Sequence, residues 1–389
     1  MTKKSKTTSK FIIQRNDLNQ LFEALSKDGY KIIGPAAKNG VIKYDELKTP
    51  DDLPEGYADK VDHALYRIEK TDSKALFNYN VGAHTWKRFL FPPHHKLYSV
   101  TKGENQLHFT PNKDKVEKVA LLGVRACELE AIKIQDRILA EDKFVDAQYV
   151  EQRKNSLIIA VNCTTANNNC FCTSMNTGPK AGVGFDLCLT EVIESKKHYF
   201  IIEAGSKAGQ KILKDLALTE ADETADTTID EIIKQTVKKI SKKVDTTYAK
   251  AALQENINHI HYDNVAKRCT SCGNCRMVCP TCFCTTVEER TSLDSNTAER
   301  VRIWDSCFSK DFTHIHGGSA RPSTRSHYRQ WLTHKFANWV DQFGMFGCVG
   351  CGRCITWCPL GIDITEEVTA ITDDVASKFE ERAHTHENA

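Results

Sequence analysis

One cysteine pattern occurs twice in the last third of the chain, and it limits what that third can fold around. The first copy is Cys269-Thr-Ser-Cys272-Gly-Asn-Cys275-Arg-Met-Val-Cys279-Pro280. The second is Cys348-Val-Gly-Cys351-Gly-Arg-Cys354-Ile-Thr-Trp-Cys358-Pro359. Both follow C-x2-C-x2-C-x3-C-P, the spacing that holds a cubane 4Fe-4S cluster. Three closely spaced thiolates reach three irons of one cube only if the backbone loops tightly around it. Gly273 and Gly352 suit such a loop because a residue without a Cβ takes positive φ freely. Pro280 and Pro359 then turn the chain away.

In modules with two such runs, the fourth cysteine of each run binds the other cluster. One cube is therefore expected on Cys269, Cys272, Cys275 and Cys358, and the other on Cys348, Cys351, Cys354 and Cys279. Zinc prefers four ligands in two separated pairs over four within one short run. Disulfides fit poorly with a reducing compartment. That compartment is the expected one: the start, Met1 to Lys10, is polar and basic with no apolar core, unlike a signal peptide. No apolar run approaches the ~20 residues that span a bilayer. A cytoplasmic protein of an anaerobic or microaerobic cell is the expectation.

With 389 residues the chain has room for two or three domains. A net charge of +2 supplies no strong field for nucleic acid or anionic membrane. Alternating strand and helix signals over the first half predict an α+β or α/β domain with a mixed or parallel sheet, at residues 1–225. Strands are expected at Phe11 to Gln14, Tyr30 to Ile33, Val41 to Tyr44, Tyr66 to Glu69, Trp86 to Phe91, Lys118 to Val124, Leu157 to Val161 and His198 to Glu203. Helices are expected from Asp17 to Lys27, from Glu128 to Ala140 and around Gln210 to Leu216. Glu220 to Asp226 reads as an acidic linker. Residues 226–389 are expected to form a mainly helical, ferredoxin-like dicluster domain. The 68 residues between Cys279 and Cys348 are assigned to helices. There Arg321, Arg325 and Arg329 recur at i, i+4, i+8 on one predicted helical face, either a basic surface stripe or a face that pairs acidic residues, docks a partner or raises a cluster potential.

Eight cysteines remain. Cys127 and Cys163 follow two predicted strands, where ligands collect in such sheets, and Cys170 and Cys172 lie in the next loop. Four thiolates there suffice for a third 4Fe-4S cluster, with Asp186 an alternative ligand; the competing reading is buried free thiols. Cys282, Cys284 and Cys307 read as residues that line or tune the first cluster, not as ligands. Cys188 reads as core.

Several segments together resemble a known family. They are Gly123-Val124-Arg125-Ala126-Cys127, Asn162-Cys163-Thr164, Cys170-Phe171-Cys172-Thr173-Ser174, Gly184-Phe185-Asp186-Leu187, Cys279-Pro280-Thr281-Cys282, Trp304-Asp305-Ser306-Cys307 and the run from Cys348 to Cys354. From about residue 20 to 370 the chain resembles the beta subunit of cytoplasmic sulfhydrogenases, which are NADP-linked nickel–iron hydrogenases. It equally resembles the corresponding subunit of anaerobic sulfite reductase. The resemblance implies an iron–sulfur electron-transfer subunit working beside a diaphorase-type subunit that carries FAD and NAD(P). Its other partners would be hydrogenase or sulfur/sulfite reductase subunits. It favours the third cluster on Cys127, Cys163, Cys170 and Cys172. Arg125 and Asp186, within the matched segments, and Arg321, from the basic face, are candidate cofactor-binding residues. The lysine-rich start and the tail with His384 and His386 fall outside the match.

No active site of its own is expected. Gly182-Val183-Gly184 lacks the third glycine of a dinucleotide fingerprint, and there is no P-loop, G-x-S-x-G or H-E-x-x-H. Two other readings stay open: a reductase subunit whose α/β domain binds substrate or flavin, and a scaffold with structural clusters. The terminal electron donor or acceptor is not legible.

Overall fold

The computed structural model describes residues 9–112, 115–141, 143–194, 197–294 and 296–374; the expected tail with His384 and His386 lies outside them. The segments Val119–Val124 and Ser156–Val161 are apolar almost throughout and buried on both faces, as strands covered by helices must be. They lie at the centre of an eight-stranded mixed sheet. Its order is Thr219–Glu220, Lys10–Gln14, Lys197–Ala204, Leu187–Glu194, Ser156–Val161, Val119–Val124, Lys31–Lys38 and Val41–Glu46. The four strands from Leu187–Glu194 to Lys31–Lys38 pair in parallel, and the outer pairings are antiparallel. The hairpin between the last two strands turns at Asn39 and Gly40, both at positive φ, which matches the twist of the strands.

Helix Asn19–Lys27 buries Leu21, Phe22 and Leu25 against this sheet. Helix Ala126–Leu139 follows the central strand directly and buries Leu129, Ile132 and Ile134. Between them, the strand Val119–Val124 slips register after Leu122, where Gly123 stands at φ 94°. That bulge re-aims the strand end, as bulges beside functional sites do.

Four expectations are corrected. Trp86 to Phe91 is not a strand: Lys87–Leu90 is a helical turn. Trp86 and Leu90, four residues apart on one helical face, are both buried, and Trp86 stacks on Tyr44 at 3.7 Å. Glu220 to Asp226 is no linker, since Thr219–Glu220 pairs with Lys10–Gln14 and helix Ala225–Lys239 begins at once. The segment after Cys279 is not all helical. Strands Thr285–Thr291 and Thr297–Trp304 form a hairpin that joins His94–Lys102 and Leu107–Pro111 in a second sheet. That sheet takes strands from both sides of residue 225. Finally, Arg321 is off the helical face. Pro322 follows it, Ser323 caps helix Thr324–Thr333, and only Arg325 and Arg329 are helical. Arg325 pairs with Asp263 at 3.0 Å, and Arg329 donates to the Ile257 carbonyl at 2.9 Å.

No helix among the described residues is long and apolar enough to cross a membrane.

Candidate metal centres

Each C-x2-C-x2-C run wraps a short helical turn. Gly273 and Gly352 stand in the left-handed region at φ 74° and 72° and precede turns Asn274–Met277 and Arg353–Thr356. Around the first run, Cys269, Cys272 and Cys275 line one cavity together with Cys358 of the second run. Cys354 reaches the edge of the same cavity. Cys358 thus stands where the swapped pairing expects a fourth thiolate.

Around the second run, the sulfurs of Cys348, Cys351 and Cys354 neighbour that of Cys279. The buried amine of Lys335 donates to Cys279 Sγ at 3.2 Å, to Thr281 Oγ1 at 3.0 Å and to the Gly347 carbonyl at 3.2 Å. The Cys279 thiol lies well below its usual pKa range because Cys282 hydrogen-bonds it and the Lys335 and Thr281 side chains face it. Burial acts the other way on its neighbours, pushing Cys348 up to about 12 and raising Cys351 and Cys354. Without metal such sulfurs hold their protons at neutral pH. Iron binding must release those protons, so it strengthens as pH rises.

A third group forms in the α/β domain. Cys127, in the first turn of helix Ala126–Leu139, and Cys163, just past strand Ser156–Val161, line one cavity with Cys170 and Cys172. Burial raises all four thiols, Cys170 to about 12. Arg125 lies on the same wall. Its guanidinium donates to the Phe77 and Tyr79 carbonyls at 2.6 and 3.0 Å, and its charge faces the Cys163 thiol across the cavity. Asp186 does not join this group. Its carboxylate accepts from the Ile158 amide at 2.7 Å and the Ser206 hydroxyl at 2.5 Å, so it closes a turn at the far end of the strand.

The second and third groups touch. Cys351 lines the third cavity as well. The Phe171 amide donates to the Gly350 carbonyl at 2.9 Å, and the Asn169 side chain donates to Thr356 Oγ1 at 2.9 Å. No side chain fits between the loops. A Cβ on Gly350 would sit 2.6 Å from the Phe171 carbonyl, and one on Gly352 would overlap the Asn169 carbonyl oxygen. Gly352→Ala therefore meets both a positive-φ penalty and a backbone clash. It is expected to lower unfolding stability by at least ~2 kcal/mol in denaturant titration; a change within ~0.5 kcal/mol would contradict this packing.

The sulfur spacing fits cubes better than single ions. Among the described residues, the only three His, Cys, Asp or Glu ligand atoms within 4.8 Å of one another belong to His63, Asp363 and Glu366. No three cysteine sulfurs gather that closely. One zinc ion with Zn–S bonds of ~2.3 Å would draw its thiolates within that distance, whereas a cube spreads its four irons, and their ligands, over its corners.

The model of the 4Fe-4S dicluster domain matches residues 268–362. The chain carries a 4Fe-4S dicluster domain. It is an iron–sulfur protein of the electron-transfer kind, and the dicluster domain contains both cysteine runs. The chain is also similar to sulfhydrogenase 2 subunit beta of Pyrococcus furiosus, 27% identical over 353 residues that cover 88% of this chain and 92% of the relative. The resemblance expected from the motifs is thereby borne out. No solved structure matches the chain.

The sequence placed Cys282, Cys284 and Cys307 beside the first cluster as lining or tuning residues, not as a group of their own. The structure gathers them in a cavity of about 490 Å³ beside the dicluster domain's second cage. A repeat was the available signal: Cys170-Phe171-Cys172-Thr173 recurs as Cys282-Phe283-Cys284-Thr285.

Proposed function

We propose that this chain relays single electrons between a terminal enzyme of the hydrogenase or sulfur/sulfite reductase type and a partner subunit that binds flavin and NAD(P)H. The observation that carries this reading is the continuity of the three cysteine groups. Cys354 borders the first cavity, and Cys351 borders the third, so the second run stands between the other two.

In this reading Cys269, Cys272, Cys275 and Cys358 hold one 4Fe-4S cluster. Cys348, Cys351, Cys354 and Cys279 hold a second, and Cys127, Cys163, Cys170 and Cys172 a third. Such clusters accept and release one electron at a time, at potentials from about −700 to +450 mV set by hydrogen bonds, charge and burial. The protein supplies the setting. Lys335 places a buried positive charge and an N–H···S bond on Cys279, which favours the more negative, reduced state. Arg125 places a second buried positive charge beside Cys163. The apolar walls around Cys269 and Cys275, including Phe308, Tyr328 and Trp331, keep water off the sulfurs. No acid, base or nucleophile is required of this chain. The partner assignment follows the relative, which is a sulfhydrogenase subunit.

The test is an anaerobic redox titration of the isolated chain. Reversible one-electron reduction of each cluster, with no stoichiometric flavin, supports the relay. Bound flavin or turnover of a soluble substrate rejects it in favour of a reductase subunit. Clusters that no physiological partner can reduce would mark a structural role.

A further inference from the structure

Cys282, Cys284 and Cys307 belong to none of the three cages. Cys282 and Cys284 leave the dicluster domain's first run, and Cys307 follows strand Thr297–Trp304. The hairpin brings them together: Thr285 stands opposite Trp304, and the Asp305 amide extends the ladder to the Cys284 carbonyl at 3.0 Å. The Cys282, Cys284 and Cys307 side chains thereby line one cavity together.

The surroundings are built for an anion. Arg321 and Lys335 line the same cavity, and no carboxylate does. Arg276, wholly buried, donates to the Cys284 carbonyl, and the buried Lys87 amine holds the Cys279 and Cys282 carbonyls at 2.9 Å each. Trp331, 4% exposed, lines the cavity, and its Nε1 has no partner. His334 is the one remaining nitrogen or sulfur ligand type on the wall besides the three thiols. The Cys-Phe-Cys-Thr loop is the same four residues that present Cys170 and Cys172 to the third cavity.

We propose that Cys282, Cys284 and Cys307 hold a further iron–sulfur cluster, a fourth site within the dicluster domain's residues but outside its two cysteine runs, with its remaining iron facing His334. Three thiolates on a cube leave a net negative charge that Arg321 and Lys335 offset. Lys335, which donates to Cys279 Sγ at 3.2 Å, also lines this cavity, so the site lies beside the second cage and would be a branch or exit of the relay. The repeat argument rests on the third-cluster reading; the cavity, its cations and the converging thiols do not.

The experiment is iron and sulfide analysis of the full chain isolated anaerobically, beside Cys307→Ala, Cys282→Ala and Cys172→Ala variants, each checked for native circular dichroism. The expected counts are about sixteen irons in the parent and about twelve in each variant. Cys307→Ala and Cys282→Ala should remove the same electron paramagnetic resonance component, and Cys172→Ala a different one. If Cys172→Ala changes nothing while Cys307→Ala still costs about four irons, the third cluster fails and the fourth stands. The proposal is overturned if Cys307→Ala and Cys282→Ala keep the parent's iron. It is also overturned if Cys282, Cys284 and Cys307 alkylate freely in the parent, if a Cys284–Cys307 disulfide is recovered, or if zinc accompanies these thiols. Should Cys307→Ala misfold, Cys282→Ala and the alkylation map decide alone.

Discussion

Cys272→Ala is expected to remove about four irons and about four sulfides from the isolated chain. Electron flow through the assembled complex should then drop to background. Cys272 is the exposed member of its group, unlike Cys269, Cys275 and Cys358 around the same cavity. Its truncation leaves no core void, so iron loss reads ligation and not packing. The remaining three thiolates would leave one iron without a protein ligand at an accessible corner, where the cluster is open to loss. The check is anaerobic iron and sulfide analysis paired with a complex assay. Iron and activity equal to the parent would mean that Cys272 is no ligand and that the swapped assignment is wrong.

The second large effect is on stability. Arg353, within the second run, is buried and pairs with Glu128 at 3.0 Å; it also donates to the Gly82 carbonyl at 3.2 Å. Glu128, 1% exposed, accepts from the buried Tyr44 hydroxyl at 2.5 Å. This network ties the second cysteine loop to helix Ala126–Leu139 and to the sheet. Glu128→Ala strands a buried guanidinium and a buried phenol, and breaking one side of a buried pair costs roughly 3–5 kcal/mol. Denaturant unfolding of the reconstituted chain should show a loss of that size. Iron release from the second and third cages should also quicken, because Cys351 and Arg353 both line the third cavity. A loss under ~1 kcal/mol would mean the network is solvated and the loop held by its other contacts.

The sequence was most readable where chemistry fixes spacing. Two cysteine runs of identical spacing led to the expectation of crossed groups, and Cys358 lines the cavity of the first run. The central strands were legible because Val119–Val124 and Ser156–Val161 are continuous apolar runs. The second sheet was not. Leu107–Pro111 is exposed throughout, and Thr285–Thr291 reads Thr-Thr-Val-Glu-Glu-Arg-Thr with no buried face. Strands that bury nothing give no periodic signal. Its partners come from segments almost 200 residues apart, so the boundary expected at residue 225 divides one sheet. Arg321 misled because i, i+4 spacing says nothing about where a helix starts; Pro322 and the Ser323 cap did. Asp186 was drawn into the site by its motif, yet its carboxylate closes a local turn. That Cys282, Cys284 and Cys307 share a cavity of their own was not legible, because hairpin pairing, not sequence spacing, brings them together.

The central claim is that the two runs of the dicluster domain hold cubes wired to one another. Mössbauer spectroscopy of the iron-57-reconstituted chain, taken as isolated and after dithionite, tests it most directly. The account predicts the quadrupole doublets of 4Fe-4S centres, at least two per chain, that convert reversibly on reduction. Adventitious ferric iron alone, with zinc or unligated thiols at Cys269 to Cys279 and Cys348 to Cys358, would contradict it.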